Sequence, residues 1–111
     1  MARVLTTMLL CGALLAPPSL AQEETERAVE ARARKLINAQ GCKACHPLEG
    51  MGASLAVELS DVARRLSNDE LRLSLANPEQ SHAAGRIGDF SHLNTAELDA
   101  LVQFLASFAR D

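Results

Sequence analysis

The stretch Cys42-Lys43-Ala44-Cys45-His46 decides the fold, because it brings two thiols and an imidazole together within five residues. The chain holds three cysteines and three histidines in 111 residues. At those frequencies the pattern CxxCH is expected only about 0.002 times by chance. The spacing is therefore specific, and we expect the surrounding chain to serve the group that these side chains bind.

CxxCH is the attachment pattern of c-type haem. Two thiols three residues apart can each form a thioether bond with a vinyl carbon of one porphyrin, and the next residue then lies under the iron. The sequence thus predicts one covalent haem c, bound by Cys42 and Cys45, with His46 as the proximal ligand. A redox disulfide at this spacing is typical of a βαβ fold, and no βαβ pattern surrounds these cysteines, so a redox disulfide is disfavoured. A zinc site completed by His82 and His92 is also disfavoured, because its ligand spacing would be unusual.

The first 21 residues resemble a bacterial secretory signal. Arg3 precedes an apolar stretch from Val4 to Ala16, and Ser19-Leu20-Ala21 offers a small-x-small cleavage site. The apolar stretch is shorter than the ~20 residues that a transmembrane helix needs. We therefore expect a signal peptide over residues 1–21 and a haem domain over residues 22–111, periplasmic and without a membrane span after cleavage.

The charge and the length that remain after signal cleavage argue against a nucleic-acid-binding protein and for one small domain. Cleavage takes away Arg3 and no acidic residue, which leaves 10 basic and 14 acidic residues and a net charge of −4. This charge disfavours a nucleic-acid partner. The remaining 90 residues make one small domain, with no Trp, no Tyr and three Phe in the chain. A core this small gains from a bound prosthetic group.

Hydrophobic spacing predicts an all-α fold of three to four helices around the haem. No Gly or Pro interrupts residues 23–40, and Gly41 ends that first helix. The capping-box spacing of Ser67-Asn68-Asp69-Glu70 predicts a helix over residues 68–76. A last helix starts near Asn94. Its apolar side chains recur at helical offsets on one stripe: Leu98, Leu101, Val102, Leu105 and Phe108.

The whole of residues 22–111 resembles the class I, mono-haem cytochrome c family in its order of helix, CxxCH, glycine-rich loop, middle helix, ligand loop and last helix. Gly52-Ala53-Ser54-Leu55 sits where that family often has Gly-Pro-x-Leu. The resemblance implies that the carbonyl of residue 53 orients the proximal imidazole. It also implies that Ala33 and Ile37 cross the last helix beside Phe104.

The sixth iron ligand departs from the family pattern. The family's Met-Pro-x-Phe segment aligns with Ile87-Gly88-Asp89-Phe90, and Ile87 cannot bind iron. His82, five residues earlier in the same loop, is the favoured replacement. An iron left open to water or to a diatomic gas has comparable support, since loss of the distal Met opens the site or lowers the potential. Phe90 is expected to pack on the porphyrin.

Two further side chains stay open as ligands. His92 precedes the last helix, where a polar surface role is equally expected. Met51 follows His46 by five residues, on the proximal side, where we expect it to pack the loop.

The resemblance implies a function as well as a fold. We expect an electron carrier, not an enzyme, that exchanges single electrons with other periplasmic or membrane-bound redox proteins. The missing distal Met leaves a gas-binding or sensor module as the alternative. Peroxidase-like chemistry, with His82 as a distal base, has the weakest support.

Overall fold

The computed structural model describes residues 19–77 and 92–110, and predictions that fall on residues 1–18, 78–91 and 111 lie outside them. Three α-helices occupy the described residues: α1 is Leu20–Ala39, α2 is Asn68–Ala76 and α3 is Thr95–Ser107. Short 3-10 turns occupy Cys42–Ala44, Val62–Arg64 and Phe108–Arg110. The predicted all-α fold is confirmed, since these ranges contain no β structure beyond one isolated bridge.

Capping boxes begin α2 and α3, as their spacing predicts. The hydroxyl of Ser67 accepts a hydrogen bond from the amide of Glu70 at 3.2 Å, and the Glu70 carboxylate accepts from the amide of Ser67 at 2.7 Å. Asn94 and Glu97 make the same reciprocal pair before α3. A side-chain cap of this kind stabilises a helix by ~1 kcal/mol. Both helices therefore begin where the sequence places them.

Helix α1 begins three residues before the predicted start at residue 23. The reason is a third capping box, in which Ser19 and Gln22 exchange hydrogen bonds of 3.2 and 3.3 Å. The helix ends at Ala39, within one residue of the prediction. Gly41 follows with a φ of 70°, a left-handed conformation that glycine adopts without steric cost.

The core lies where α1 crosses α3. Ala33 and Ile37 are 0% and 1% exposed and belong to the same buried cluster as Phe104, which confirms the predicted crossing. The predicted stripe of α3 also faces inward, with three of its five residues buried and Leu98 and Phe108 partly buried against the core. Burial of a large aliphatic or aromatic side chain contributes ~1.5–3 kcal/mol, so this crossing carries much of the stability.

Helix α2 also packs against α3. Its buried residue is Leu71, and an ion pair between Arg72 and Asp99 joins the two helices at the edge of their contact. The middle helix is therefore held by both apolar and charged contacts.

Within residues 19–77 and 92–110, every helix is too short or too polar to cross a bilayer.

Candidate functional site

The CxxCH residues form a tight turn directly after α1. Cys42–Ala44 is a 3-10 turn, and the amides of Cys45 and His46 both donate to the carbonyl of Cys42, at 3.2 and 2.9 Å. Side chains three residues apart lie on the same side of a 3-10 turn. The two thiols are therefore presented together, with His46 next to them.

The state of the thiols bears on the alternative chemistries. Cys42 and Cys45 are partly buried and form no disulfide. Burial raises the pKa of the Cys42 thiol, whereas a redox-active dithiol needs a lowered pKa and a stable thiolate. For zinc, the described ranges contain no group of three or more His, Cys, Asp or Glu side chains placed to hold a metal ion. Neither alternative gains support from these residues.

The proximal imidazole has a defined orientation. Its Nδ1 lies 2.6 Å from the carbonyl oxygen of Val57. A carbonyl can only accept a hydrogen bond, so Nδ1 of His46 donates to it, and Nε2 is the ring nitrogen that would bind a metal. This tautomer, with its second nitrogen bonded to an outer acceptor, is the usual state of a metal-ligating histidine.

The acceptor differs from the one that the resemblance implies. The structure assigns this role to Val57, four residues beyond Ala53. The amide of Ala53 donates to the carbonyl of Lys43 at 3.0 Å, and the amides of Leu55 and Ala56 donate to the carbonyl of Cys45 at 3.0 and 2.8 Å. The chain thus runs alongside the CxxCH turn for several residues before its carbonyl reaches the imidazole.

This return path depends on Gly52. Its φ is 121°, and a Cβ there would lie 2.9 Å from the carbonyl oxygen of His46 and 3.1 Å from that of Lys43. Contacts this short with backbone atoms cannot be relieved by a side-chain rotation. Glycine at position 52 is therefore a requirement of the close approach between the loop and the turn.

Apolar side chains stay uncovered beside the turn. Leu55 is 79% exposed and Val57 is 41% exposed, although the nearby Leu48 is 2% exposed and anchors the loop in the core. Both side chains are accessible to a group bound beside the turn. The residues present therefore fit a porphyrin: two thiols, an imidazole of the right tautomer and an apolar lining.

The predicted distal residues lie outside the described ranges. His82, Ile87 and Phe90 fall within residues 78–91, so their roles stay predictions. His92 is described, and its Nε2 lies 3.1 Å from the side-chain nitrogen of Gln40, at the end of α1. This contact connects the residues just before α3 to the end of α1.

The expectation for Met51 is wrong. Its side chain is 70% exposed, so it does not pack the loop. Its backbone instead closes a two-residue turn with Leu48, through hydrogen bonds of 2.7 and 3.0 Å. The central residues Glu49 and Gly50 have φ values of 52° and 78°, the signs of a type I′ turn.

Arg34 was not singled out by the sequence analysis, yet it joins this turn to both long helices. Its guanidinium donates two hydrogen bonds to the Glu49 carboxylate, at 3.0 and 3.1 Å, and one to Glu30 at 2.9 Å. The same group lies 4.8 Å from the centre of the Phe104 ring on α3, in a cation–π contact. Only the Glu30 spacing of four was visible in the sequence, because the other partners are distant along the chain.

The ion pair between Arg34 and Glu49 should make the stability of the fold depend on pH in the acidic range. The guanidinium holds the pKa of the Glu49 carboxyl below its ordinary value. A carboxyl whose pKa is lowered in the folded state stabilises the fold above its unfolded-state pKa, and that contribution disappears as the pH falls through the folded-state pKa. Between about pH 5 and pH 3, wild type should therefore lose ~0.5–1 kcal/mol more unfolding free energy than Glu49→Gln, as measured by urea unfolding. Glu24→Gln, at an exposed position without an ion pair in the described residues, should keep the wild-type pH dependence; a matching loss in all three proteins would contradict the prediction.

The site and its scaffold match a known family. A family model described as cytochrome c matches residues 30–109, more than two thirds of the chain. Searches among curated proteins and among solved structures gave no match. The matched range contains the CxxCH turn, the loop that returns past it and the crossing of α1 with α3.

Proposed function

The chain belongs to the cytochrome c family, and we propose that it is an exported carrier of single electrons between redox proteins of the periplasm. Family membership implies a covalently bound c-type haem and electron transfer in general, and proteins of this family are typically carriers that meet redox partners. The periplasmic location is proposed from the secretory pattern of residues 1–21. The contacts around His46 support the role of an electron carrier.

The hydrogen bond between His46 and Val57 is the observation that carries the proposal. The haem, when bound, supplies an iron that alternates between the ferric and ferrous states. Cys42 and Cys45 would hold it through thioether bonds, and His46 would bind the iron through Nε2. The Val57 carbonyl keeps the proton on Nδ1, which makes the imidazole a stronger electron donor and favours the ferric state. Leu55 would offer the bound group an exposed apolar side chain.

For the sixth position we propose His82. The support is partly negative, because the rival His92 already makes a hydrogen bond to Gln40 at the end of α1. The other rival, Met51, follows His46 by only five residues, which favours the proximal side. His82 belongs to the segment that aligns with the family's ligand loop.

Carbon monoxide separates a carrier from a gas sensor. The purified exported protein should start at Gln22, carry one haem by intact mass and show a reversible one-electron redox titration. Addition of carbon monoxide to the reduced form should leave its absorption spectrum almost unchanged, because the sixth position is filled. An immediate spectral shift would instead favour the gas-binding alternative.

Two histidine variants test the ligand. His82→Ala should change both the oxidised and the reduced spectra and should make the reduced form bind carbon monoxide. His92→Ala is the matched control and should leave the spectra as they are. If the oxidised and reduced spectra of His82→Ala do not change, the assignment of His82 is wrong.

A further inference from the structure

Glu58 ties together two parts of the loop below the proximal imidazole. One carboxylate oxygen accepts a hydrogen bond from the amide of Gly50 at 2.6 Å, and the other accepts from the amide of Ser60 at 3.1 Å. The residue is partly buried. Hydrogen bonds to an ionised acceptor are stronger than neutral ones, so both contacts restrain the backbone at residue 58.

The restrained residue shares a peptide group with the acceptor of His46. The carbonyl of Val57 and the amide of Glu58 belong to one planar peptide unit. Any rotation of Glu58 about its backbone therefore turns the carbonyl oxygen that lies 2.6 Å from Nδ1 of His46. A hydrogen bond this short loses strength steeply when its angle or distance changes.

The far side of the Glu58 bridge is itself anchored. Gly50 lies in the tight turn next to Glu49, whose carboxylate is bound by both terminal nitrogens of Arg34 on α1. The turn is also closed by two backbone hydrogen bonds. Glu58 thus connects the Val57 carbonyl to the helical framework by a route that does not pass through His46.

We propose that Glu58 is a positioning residue for the proximal ligand: its carboxylate fixes the peptide group whose carbonyl accepts the Nδ1 proton of His46. This inference rests on the proposed function, in which His46 binds the haem iron. A well-aligned acceptor makes the imidazole a stronger donor to iron, so a misaligned one should raise the midpoint potential.

Exchange of the His46 Nδ1 proton with D2O tests the proposal directly. Wild type, Glu58→Gln and Glu58→Ala are purified, and fractions that carry one haem by intact mass are reduced under carbon monoxide, which keeps the iron diamagnetic whichever group is the sixth ligand. NMR should show exchange at least about tenfold faster in Glu58→Ala, the factor that corresponds to the loss of charge-assisted hydrogen bonds. Glu58→Gln should fall between, because its amide oxygen can still accept one of the two bonds.

Midpoint potentials give a second readout. Both variants remove the same negative charge, so the difference between them reports on hydrogen bonding and not on charge. We expect a higher potential in Glu58→Ala than in Glu58→Gln. Glu24→Gln, which removes a charge from the exposed face of α1, should match wild type in proton exchange.

Each result decides the matter in one direction. Faster exchange at His46 with an unchanged rate at the backbone amide of Phe104 supports the proposal. Equal His46 rates in the three proteins, or a parallel acceleration at Phe104 that signals global unfolding, would overturn it, as would equal potentials in the two variants. If wild type, like the variants, carries no haem, the proposed function is wrong, and this inference fails with it.

Discussion

The double substitution Cys42→Ala with Cys45→Ala is expected to abolish covalent haem attachment. Cys42 begins the 3-10 turn and Cys45 directly follows it, and without these thiols no thioether bond can form. The exported polypeptide should have the mass of the bare chain and should keep no pigment after acid-acetone treatment. Since a domain of this size depends on its prosthetic group for much of its buried surface, we also expect a lower helix content by circular dichroism.

Two matched variants make that experiment specific. Cys45→Ala alone should keep one thioether bond and hence some haem in the intact mass. Lys43→Ala changes the same turn but keeps the backbone carbonyl that accepts from the amide of Ala53, so it should bind haem as wild type does. Full haem attachment to the double variant would show that the cofactor is not bound through this motif.

Gly52→Ala should produce the second largest effect. The added methyl group would lie 2.9 Å from the carbonyl oxygen of His46, in a backbone conformation that side chains rarely adopt. Strain of this kind costs ~1–3 kcal/mol, and the steric overlap adds to it, so we expect a loss of about 2–4 kcal/mol in unfolding free energy. For a domain of this length that loss lowers the Tm by about 10–20 °C, as measured by calorimetry on the haem-containing protein.

Gly50→Ala is the matched control. Gly50 also has a positive φ, of 78°, but a Cβ there meets no atom within 4 Å. Only the conformational cost then applies, and it amounts to ~1–2 kcal/mol. A similar loss in the two variants would mean that the approach of Gly52 to the CxxCH turn does not matter for stability.

Local sequence patterns predicted the helices and identified the CxxCH motif. The caps at Ser67 and Asn94 depend on residues three positions apart, so their spacing was sufficient. The cap at Ser19 was missed because that residue was assigned to the cleavage site of the signal, and cleavage before Gln22 would remove this cap. The apolar offsets of α3 predicted its buried face for the same reason: helical periodicity is a local property.

The parts that escaped prediction depend on the path of the loop. Whether the carbonyl of residue 53 or of residue 57 reaches His46 is decided by how many residues run beside the turn before the chain bends toward the imidazole. The pairing of Arg34 with Glu49 spans 15 residues, and the bridge from Glu58 to Gly50 spans eight. No sequence periodicity predicts contacts that an irregular segment makes, so these contacts could be identified only from the structure.

The position of Arg34 has a consequence for electron transfer. One guanidinium contacts the loop through Glu49 and the helix crossing through Phe104, so a shift of the loop would break two hydrogen bonds to α1. A site that is fixed in advance spends little energy on rearrangement when charge appears or disappears within it. The stiffness of this joint would thus keep the reorganisation energy small, which favours rapid turnover between oxidation states during brief encounters.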